Sequence, residues 1–571
     1  METSPVTGEE VQGMKPMKGK TFWLALSSLG VIAWLDGLAT TSLSPAIPIV
    51  TEKLDGSALE GFWAGTAFLL CATVFQPTFA SLSQVFGRKP LLFLVLLLFT
   101  VGTIVSGIAH PFTVLLLGRS IQGSGSGGIL AMILVVMTDI VTIRERGKWM
   151  GIILMQYAVG TLVGPIIGGA FVEYVSWRWI FWVVLPLCGV GFLMVFLFKE
   201  PHVRTEAITE KLKMVDWIGQ FLIISSITAV ILPITWGGVQ YPWDGWRGLV
   251  PLILGVFGIL GFAVYEKFVP SQPVIAPRII ANRTAASIYF GSVITGVLMF
   301  SQLYYLPLYF QVAKGYSPLL SGVALIPQSF SVCPASVITG ILITRTGRYR
   351  WAIWGGWALT VLGTGLLYLL DVDTPTVAWV FIGIVSVFGI GVTMSAGSIG
   401  VQATASNSDL SSSAALFTFF RLFGQSCGVA IAGSIFQNQM KSHLRKYPDL
   451  ADRASALSKN AAGLVPLLET MTDDANKANI IQSYVDSLKI IWIVTMGFAI
   501  VAALLSLLVK GYSLDRSPTS DAGVSPAIPS STDEEKTDSR NGGSHPGRSP
   551  LSRPIVIAAD LKIKKIISSR C

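Results

Sequence analysis

Long apolar runs alternate with short polar ones along almost the whole chain. Fourteen runs are long enough to cross a bilayer as helices: 22–48, 61–83, 90–109, 112–138, 149–172, 179–198, 217–236, 248–268, 285–311, 318–343, 351–370, 377–400, 411–436 and 488–509. Hydrocarbon of roughly 30 Å takes about 20 helical residues to cross. The rhythm fails twice. Residues 437–486 are polar, are interrupted by Pro448 and Pro466, and are expected to form a long, partly helical outer loop. Residues 511–571 are rich in Ser, Pro and charge and read as disordered, although the apolar ending PIVIAADLKIKKIISSRC does not share that composition.

The loops between the runs orient them. One set carries most of the basic residues, including Arg88, Lys89, Arg144, Arg146, Lys148, Arg345 and Arg348; the alternate short loops hold only Lys53, Arg178, Arg247 and Lys314. Cytoplasmic loops collect Lys and Arg, so both termini are expected on the cytoplasmic side. The first apolar run is too long for a cleavable signal peptide and is expected to remain.

Composition strengthens the membrane reading. The chain has 571 residues, 52% hydrophobic and only 13% charged, with a mean hydropathy of +0.64. Soluble domains carry about 25% charge. The net charge of +9 does not point to nucleic acid, because no basic patch is interleaved with exposed aromatics. Four of the five cysteines lie in apolar runs with no CxxC or Cys/His spacing, so neither a disulfide framework nor a metal site is expected. No GxxxxGK[ST] or HExxH is present, and no cofactor is implied. GQSCG (424–428) fits GxSxG, but it lies inside an apolar run rather than on a strand-to-helix turn.

The chain repeats itself. ASLSQVFGRK (80–89) and GILITRTGRY (340–349) share a small-x-Leu-x4-Gly-Arg pattern about 260 residues apart. Gly160, Gly164, Gly168 and Gly169 recur at the same spacing and nearly the same offset as Gly424, Gly428, Ala432 and Gly433. The offset is eight runs, so two six-helix halves with two inserted helices are expected. Parallel six-helix repeats with a site between them describe one transporter architecture. The expected domains are 1–20, a cytoplasmic N-terminus; 21–200, the first bundle; 201–280, a linker with two inserted helices; 281–510, the second bundle; and 511–571, a cytoplasmic tail.

Four stretches carry candidate chemistry. Asp36 in LDGLATTSLSPAIP (35–48) is a lone carboxylate in an apolar run, costly to leave charged and by default functional. Arg119 in LLLGRSIQGSGSGG (115–128) needs a carboxylate or a wet cavity unless it snorkels to the interface. GTLVGPIIGG (160–169) sets Gly160, Gly164 and Gly168 on one helix face, with Pro165 bending the helix. The basic turn ASLSQVFGRK holds Gln84, Gly87, Arg88 and Lys89. Trp34, Gln122, Gln156, Gln302, Tyr304, Gln328, Arg421 and Gln425 are candidates to line a cavity, with helix packing the competing role for each.

Together these stretches resemble the major facilitator superfamily, specifically its fourteen-span drug:proton antiporter type common in filamentous fungi. The resemblance covers residues 21–510. GTLVGPIIGG matches the antiporter motif at every fixed position, and LLLGRSIQG matches L-x3-R-x2-Q-G. SWRWIFWVVLP (176–186), YYLPLYFQ (304–311) and SPLLSGVALIP (317–327) also look like fourteen-span members. In ASLSQVFGRK, Ala80 and Gln84 stand where the family pattern has Gly and Asp, which implies a weaker charge latch. The resemblance implies an all-α membrane protein with the major facilitator fold: two six-helix bundles plus two inserted helices.

The resemblance also implies a monomeric secondary transporter in the cell membrane. It would export a small hydrophobic or amphipathic molecule, such as a secondary metabolite, toxin or drug, in exchange for protons. Asp36 would be the proton carrier with Arg119 its positive partner, and the alternative is a static ion pair. Uptake of basic amino acids into a vacuole, or of a siderophore, is the competing transport reading. A membrane enzyme and a nontransporting receptor are the competing classes.

Overall fold

In the computed structural model, helix starts follow local sequence. The structure describes residues 19–141, 143–197, 215–236, 241, 245–270, 274–275, 277–406, 409–459, 464–465, 468, 471 and 474–512. Ser57 caps one helix through a reciprocal pair: Glu60 N–H donates to Ser57 Oγ at 3.3 Å, and Ser57 N–H donates to Glu60 Oε2 at 2.8 Å. The Asn282 side chain accepts from Thr284 N–H at 2.9 Å and starts another. The two Gly-Arg turns of the repeat each bend at a glycine with positive φ, Gly87 at 94° and Gly347 at 64°.

Among the described residues, fourteen helical stretches, one for each apolar run, are long and apolar enough to span. Their main helices are α1 (Lys20–Thr41), α2 (Ala58–Phe86), α3 (Arg88–Gly107), α4 (Phe112–Ile140), α5 (Ile143–Tyr174), α6 (Val184–Leu197), α7 (Trp217–Trp236), α8 (Trp246–Phe268), α9 (Arg283–Ala313), α10 (Ile326–Thr346), α11 (Arg350–Leu366), α12 (Thr376–Thr404), α13 (Leu410–Leu444) and α14 (Asp474–Ser506), with the sixth span completed by Trp179–Trp182 and the eleventh by Leu367–Leu369. Helices α1–α6 pack mainly on one another, and so do α9–α14. The inserted pair α7 and α8 packs together, with α7 also lying on α2 and α13. Gln220 of α7 accepts a hydrogen bond from Thr78 of α2, and Trp236 meets Trp63 at 6.2 Å between ring centroids.

The largest difference from the sequence expectation lies between α13 and α14. The polar segment expected over 437–486 is shortened from both sides, because α13 runs to Leu444 and α14 begins at Asp474. Pro448–Ala451 and Ala454–Lys459 are short helices within it. Loss of apolar continuity does not end a helix that still has one face to bury. Ile480, Tyr484, Val485 and Leu488 are all buried on the first turns of α14. The tail expected over 511–571 lies outside the described residues beyond Tyr512, as do residues 1–18, 198–214 and Pro466.

Glycines let the bundles pack backbone to backbone. A side chain at Gly160, Gly164 or Gly168 of α5 would run into Trp34, Thr41 or Ser42 of the α1 segment. The counterpart pair does the same: Gly424 lies against the carbonyl of Val293, and a Cβ at Gly428 would stand 2.6 Å from that of Val297. Each bundle thus seats its glycine helix on its first helix, α5 on α1 and α13 on α9.

The two bundles meet at the face where α1, α5 and α9 end. Gln311 of α9 donates to the Pro45 carbonyl at 3.0 Å. The backbone N–H of Leu319, in the short helix Pro318–Ala324, donates to Glu173 at 3.2 Å. Gly169 lies against Pro318 and Leu319, and Gly322 against Pro165. Deeper in, Thr73 of α2 and Ser426 of α13 approach to 3.4 Å.

Candidate functional site

Helix α1 carries Asp36 to the interior of the first bundle, where the residue has no solvent exposure. Gly37 beside it lies against the backbone of Tyr157 on α5, so α1 and α5 pack backbone to backbone next to the carboxylate. Neither Asp36 oxygen completes a hydrogen bond among the described residues. The groups acting on it are the Ser126 hydroxyl and the Arg119 guanidinium, both from α4.

Arg119 is also fully buried, so it does not snorkel. Its Nε donates to the Ala64 carbonyl at 3.0 Å, and its Nη1 donates to Ala39 O at 3.3 Å and Gln122 Oε1 at 2.7 Å. The guanidinium also lies 4.2 Å from the centre of the Phe68 ring. The static ion pair with Asp36, the competing reading, is not formed among the described residues. The reason is geometric: the guanidinium is fixed on a carbonyl one turn beyond Asp36, and its Nε and Nη1 are spent on neutral acceptors. Its Nη2 is buried with no partner among the described residues.

Gln122, expected at a cavity, instead holds Arg119. Its Oε1 accepts from the guanidinium while its Nε2 donates to Thr103 of α3 at 2.9 Å. Gln302 and Gln328 come together in the second bundle: Gln302 Oε1 accepts from Gln328 Nε2 at 2.7 Å and from Ser386 Oγ at 3.0 Å, leaving Gln302 Nε2 buried and without a partner among the described residues. Gln425 is buried with a free Oε1, and Arg421 is half-buried with a free Nε, among the described residues. Gln156 lies against Gly30 of α1, and Trp34 is half-buried with its carbonyl against Gly160. Tyr304 is buried against Gly65 of α2, in the opposite bundle.

The glycine motif and the carboxylate form one unit. Gly160, Gly164 and Gly168 follow α1 from Trp34 to Ser42, the stretch that contains Asp36. Gly169 and Pro165 face the short helix Pro318–Ala324 of the other bundle. One helix therefore touches the carboxylate's own helix and the opposite bundle at once.

At the basic turn, Arg88 donates to Asp139 of α4 at 2.6 Å and to the Ser83 carbonyl at 3.0 Å. Lys89 donates to the Phe196 carbonyl at 2.8 Å. The Gln84 side chain lies outside the described residues, so its effect on a latch is not placed. Asp139 was not legible as a partner. It sits at the end of an apolar run, next to a basic loop, where a carboxylate reads as ordinary helix-end polarity.

A family model for the Major Facilitator Superfamily matches residues 29–429. The chain belongs to this superfamily. It is 47% identical over 498 residues to "MFS transporter L2" of Phoma sp., covering 87% of this chain and 83% of that protein. It is 35% identical over 546 residues to the "MFS-type efflux pump LUC4" of Fusarium sp., covering 94% of each. Among solved structures it resembles a bacterial homolog of the human lysosomal transporter Spinster, captured inward-facing and unoccupied. The TM-score is 0.60 at 16% identity, over 86% of this chain and 98% of that one, a likeness of fold. The protein is a multi-pass membrane transporter of the major facilitator fold, within a family of efflux transporters, and not an enzyme.

Proposed function

We propose that this transporter exports a small hydrophobic or amphipathic molecule, such as a secondary metabolite, toxin or drug, in exchange for protons. Asp36 carries this reading: a fully buried carboxylate, in a spanning helix, whose oxygens no described residue satisfies. A permanent ion pair would need its charge compensated directly. A group that alternates between neutral and charged does not.

In this reading the two bundles, 21–200 and 281–510, rock about a site between them, with 201–280 as the inserted linker. Gly160, Gly164, Pro165, Gly168 and Gly169 form the contact that must stay close while Asp36 changes charge. Arg119 supplies positive potential near the carboxylate without neutralising it. Gln302, Gln328, Arg421 and Gln425 supply polar contacts for the cargo, and Trp34 and Gln156 apolar and amide surface. Both termini are cytoplasmic, the 511–571 tail included, and the protein works as a monomer in the cell membrane. At ~150 mV and ~1 pH unit a proton supplies about 5 kcal/mol, enough for cargo gradients of roughly several thousandfold.

Purified protein in vesicles tests this. An imposed inward proton gradient should drive a lipophilic dye outward, and the dye's own gradient should move protons the other way. Dye movement indifferent to the proton gradient would overturn the reading.

A further inference from the structure

The groups that hold Arg119 all belong to the first bundle, and one side chain of the second bundle lies against the same turn of α2. Tyr304 of α9 reaches across from the second. Its ring lies so close on Gly65 of α2 that a Cβ there would stand 2.6 Å from the ring carbon Cζ, and nearer still to the hydroxyl oxygen. Arg119 donates to the carbonyl of Ala64, the residue before Gly65, at 3.0 Å. The Tyr304 hydroxyl and Arg119 Nη2 are both buried, and neither has a hydrogen-bond partner among the described residues. Two polar groups from opposite bundles therefore end against one turn of α2. Tyr305 seats the same contact, its ring stacked on Phe62 of α2 at 5.0 Å.

Relative motion of the bundles must separate these groups. The printed hydrogen bonds of Arg119 go to Ala64, Ala39 and Gln122, all in the first bundle, so the guanidinium travels with that bundle. Tyr304 travels with α9. Gln311, seven residues further along, lies on the same helix face two turns on. It donates across the closed face to the Pro45 carbonyl, and within its own bundle to Ser321 Oγ. Opening that face at Gln311 withdraws Tyr304 as well.

We propose that Tyr304 is a plug, inserted by the second bundle over the Asp36–Arg119 site, that shuts the site off from the closed face and withdraws when that face opens. The proposal rests on the reading of Asp36 as the proton site. Seated, the phenol ring fills the space through which water would reach Arg119 Nη2 and the carboxylate. Withdrawn, it admits water, and Asp36 exchanges its proton with that side. The titratable and charged groups around the pair are Asp36 on α1, Arg119 on α4, Tyr157 on α5, Arg421 on α13 and Tyr305 beside the plug. Among these groups, Tyr304 and Tyr305 are the ones whose rings pack on α2 from the opposite bundle.

The test needs no cargo. Full-length protein is placed in vesicles containing a trapped pH-sensitive dye, and a potassium diffusion potential is imposed with valinomycin. Tyr304→Ala, which removes the ring, should leak protons where wild type holds them. Gly65→Ala, which pushes the ring off its seat, should leak in the same direction. Tyr304→Phe keeps the ring and should remain tight. Inserted Tyr304→Ala and Gly65→Ala vesicles as tight as wild type would overturn the plug, and if Tyr304→Ala fails to insert, a tight Gly65→Ala alone does so. Cargo-driven proton movement by wild type, measured in the same vesicles, reports separately on proton exchange: its absence defeats the Asp36 reading whatever the leak assay gives.

Discussion

Arg119 donates to the carbonyl of Ala39, one helical turn beyond Asp36, and not to the Asp36 carboxylate. The positive charge is near enough to act on the acid but is anchored elsewhere. Arg119→Lys keeps the charge and loses the fork that joins Ala39, Ala64 and Gln122. Transport should fall although the charge is retained, and Gln122→Leu should reproduce part of the loss. Wild-type efflux in Arg119→Lys at equal abundance would show that position, as opposed to charge, is dispensable.

The glycine face gives a graded prediction. Gly168→Ala puts a Cβ into the Ser42 carbonyl, and overpacking of this kind costs about 1–3 kcal/mol. Gly164→Leu should be worse, since Thr41 and Leu38 already crowd that position. Gly189→Ala, on the exposed side of α6 with nothing within 4 Å, should behave as wild type. Efflux normalised to membrane abundance checks the series. Equal activity in all three would make the glycine face ordinary packing surface.

Asp371, between α11 and α12, offers a pH test outside the spans. Burial pushes its carboxyl up. Lys489 at 2.6 Å, the Val372 N–H and Gln482 outweigh this and hold it below its ordinary 3.8. A carboxyl held low in the folded state contributes stability above that ordinary value, and the contribution is lost as pH falls through the folded one. On acidification below 3.8, the melting temperature of wild type in detergent should therefore fall more steeply than that of Asp371→Asn. Parallel curves would remove Lys489–Asp371 from the stability account.

Asn282 begins an Asn-Arg-Thr sequon, yet its side chain is committed. Oδ1 accepts from Thr284 N–H, and Nδ2 donates to the Tyr512 hydroxyl at 2.9 Å. The proposed orientation puts this loop on the cytoplasmic side, and on that orientation the sequon should carry no glycan. A mobility shift on deglycosylation, lost in Asn282→Gln, would overturn the orientation.

Fold and site were legible to different depths. All fourteen spans could be read because a bilayer imposes one length and one polarity on every crossing. The α5 glycines were visible because close packing leaves a four-residue period. The ends of α13 and α14 were hidden, because amphipathic extensions beyond the bilayer lose the apolar signal while keeping a face to bury. Asp36 and Arg119 stood out as charges in apolar runs. What each touches did not: Ala64, Ala39 and Phe68 carry no chemical signature, and they meet Arg119 only once α1, α2 and α4 are packed. The same holds for Arg88 with Asp139, and for Tyr304 on Gly65, where the informative residue is a glycine far away in sequence.

Proton-driven export requires Asp36 to change protonation. Asp36→Asn preserves shape and polarity but cannot release a proton. In vesicles, it should lose dye accumulation driven by a proton gradient while still exchanging dye down the dye's own gradient. Asp36→Glu should retain partial activity with a displaced pH profile. Accumulation by Asp36→Asn against a gradient at the wild-type rate, with the wild-type dependence on pH, would contradict the account and make Asp36 a structural residue.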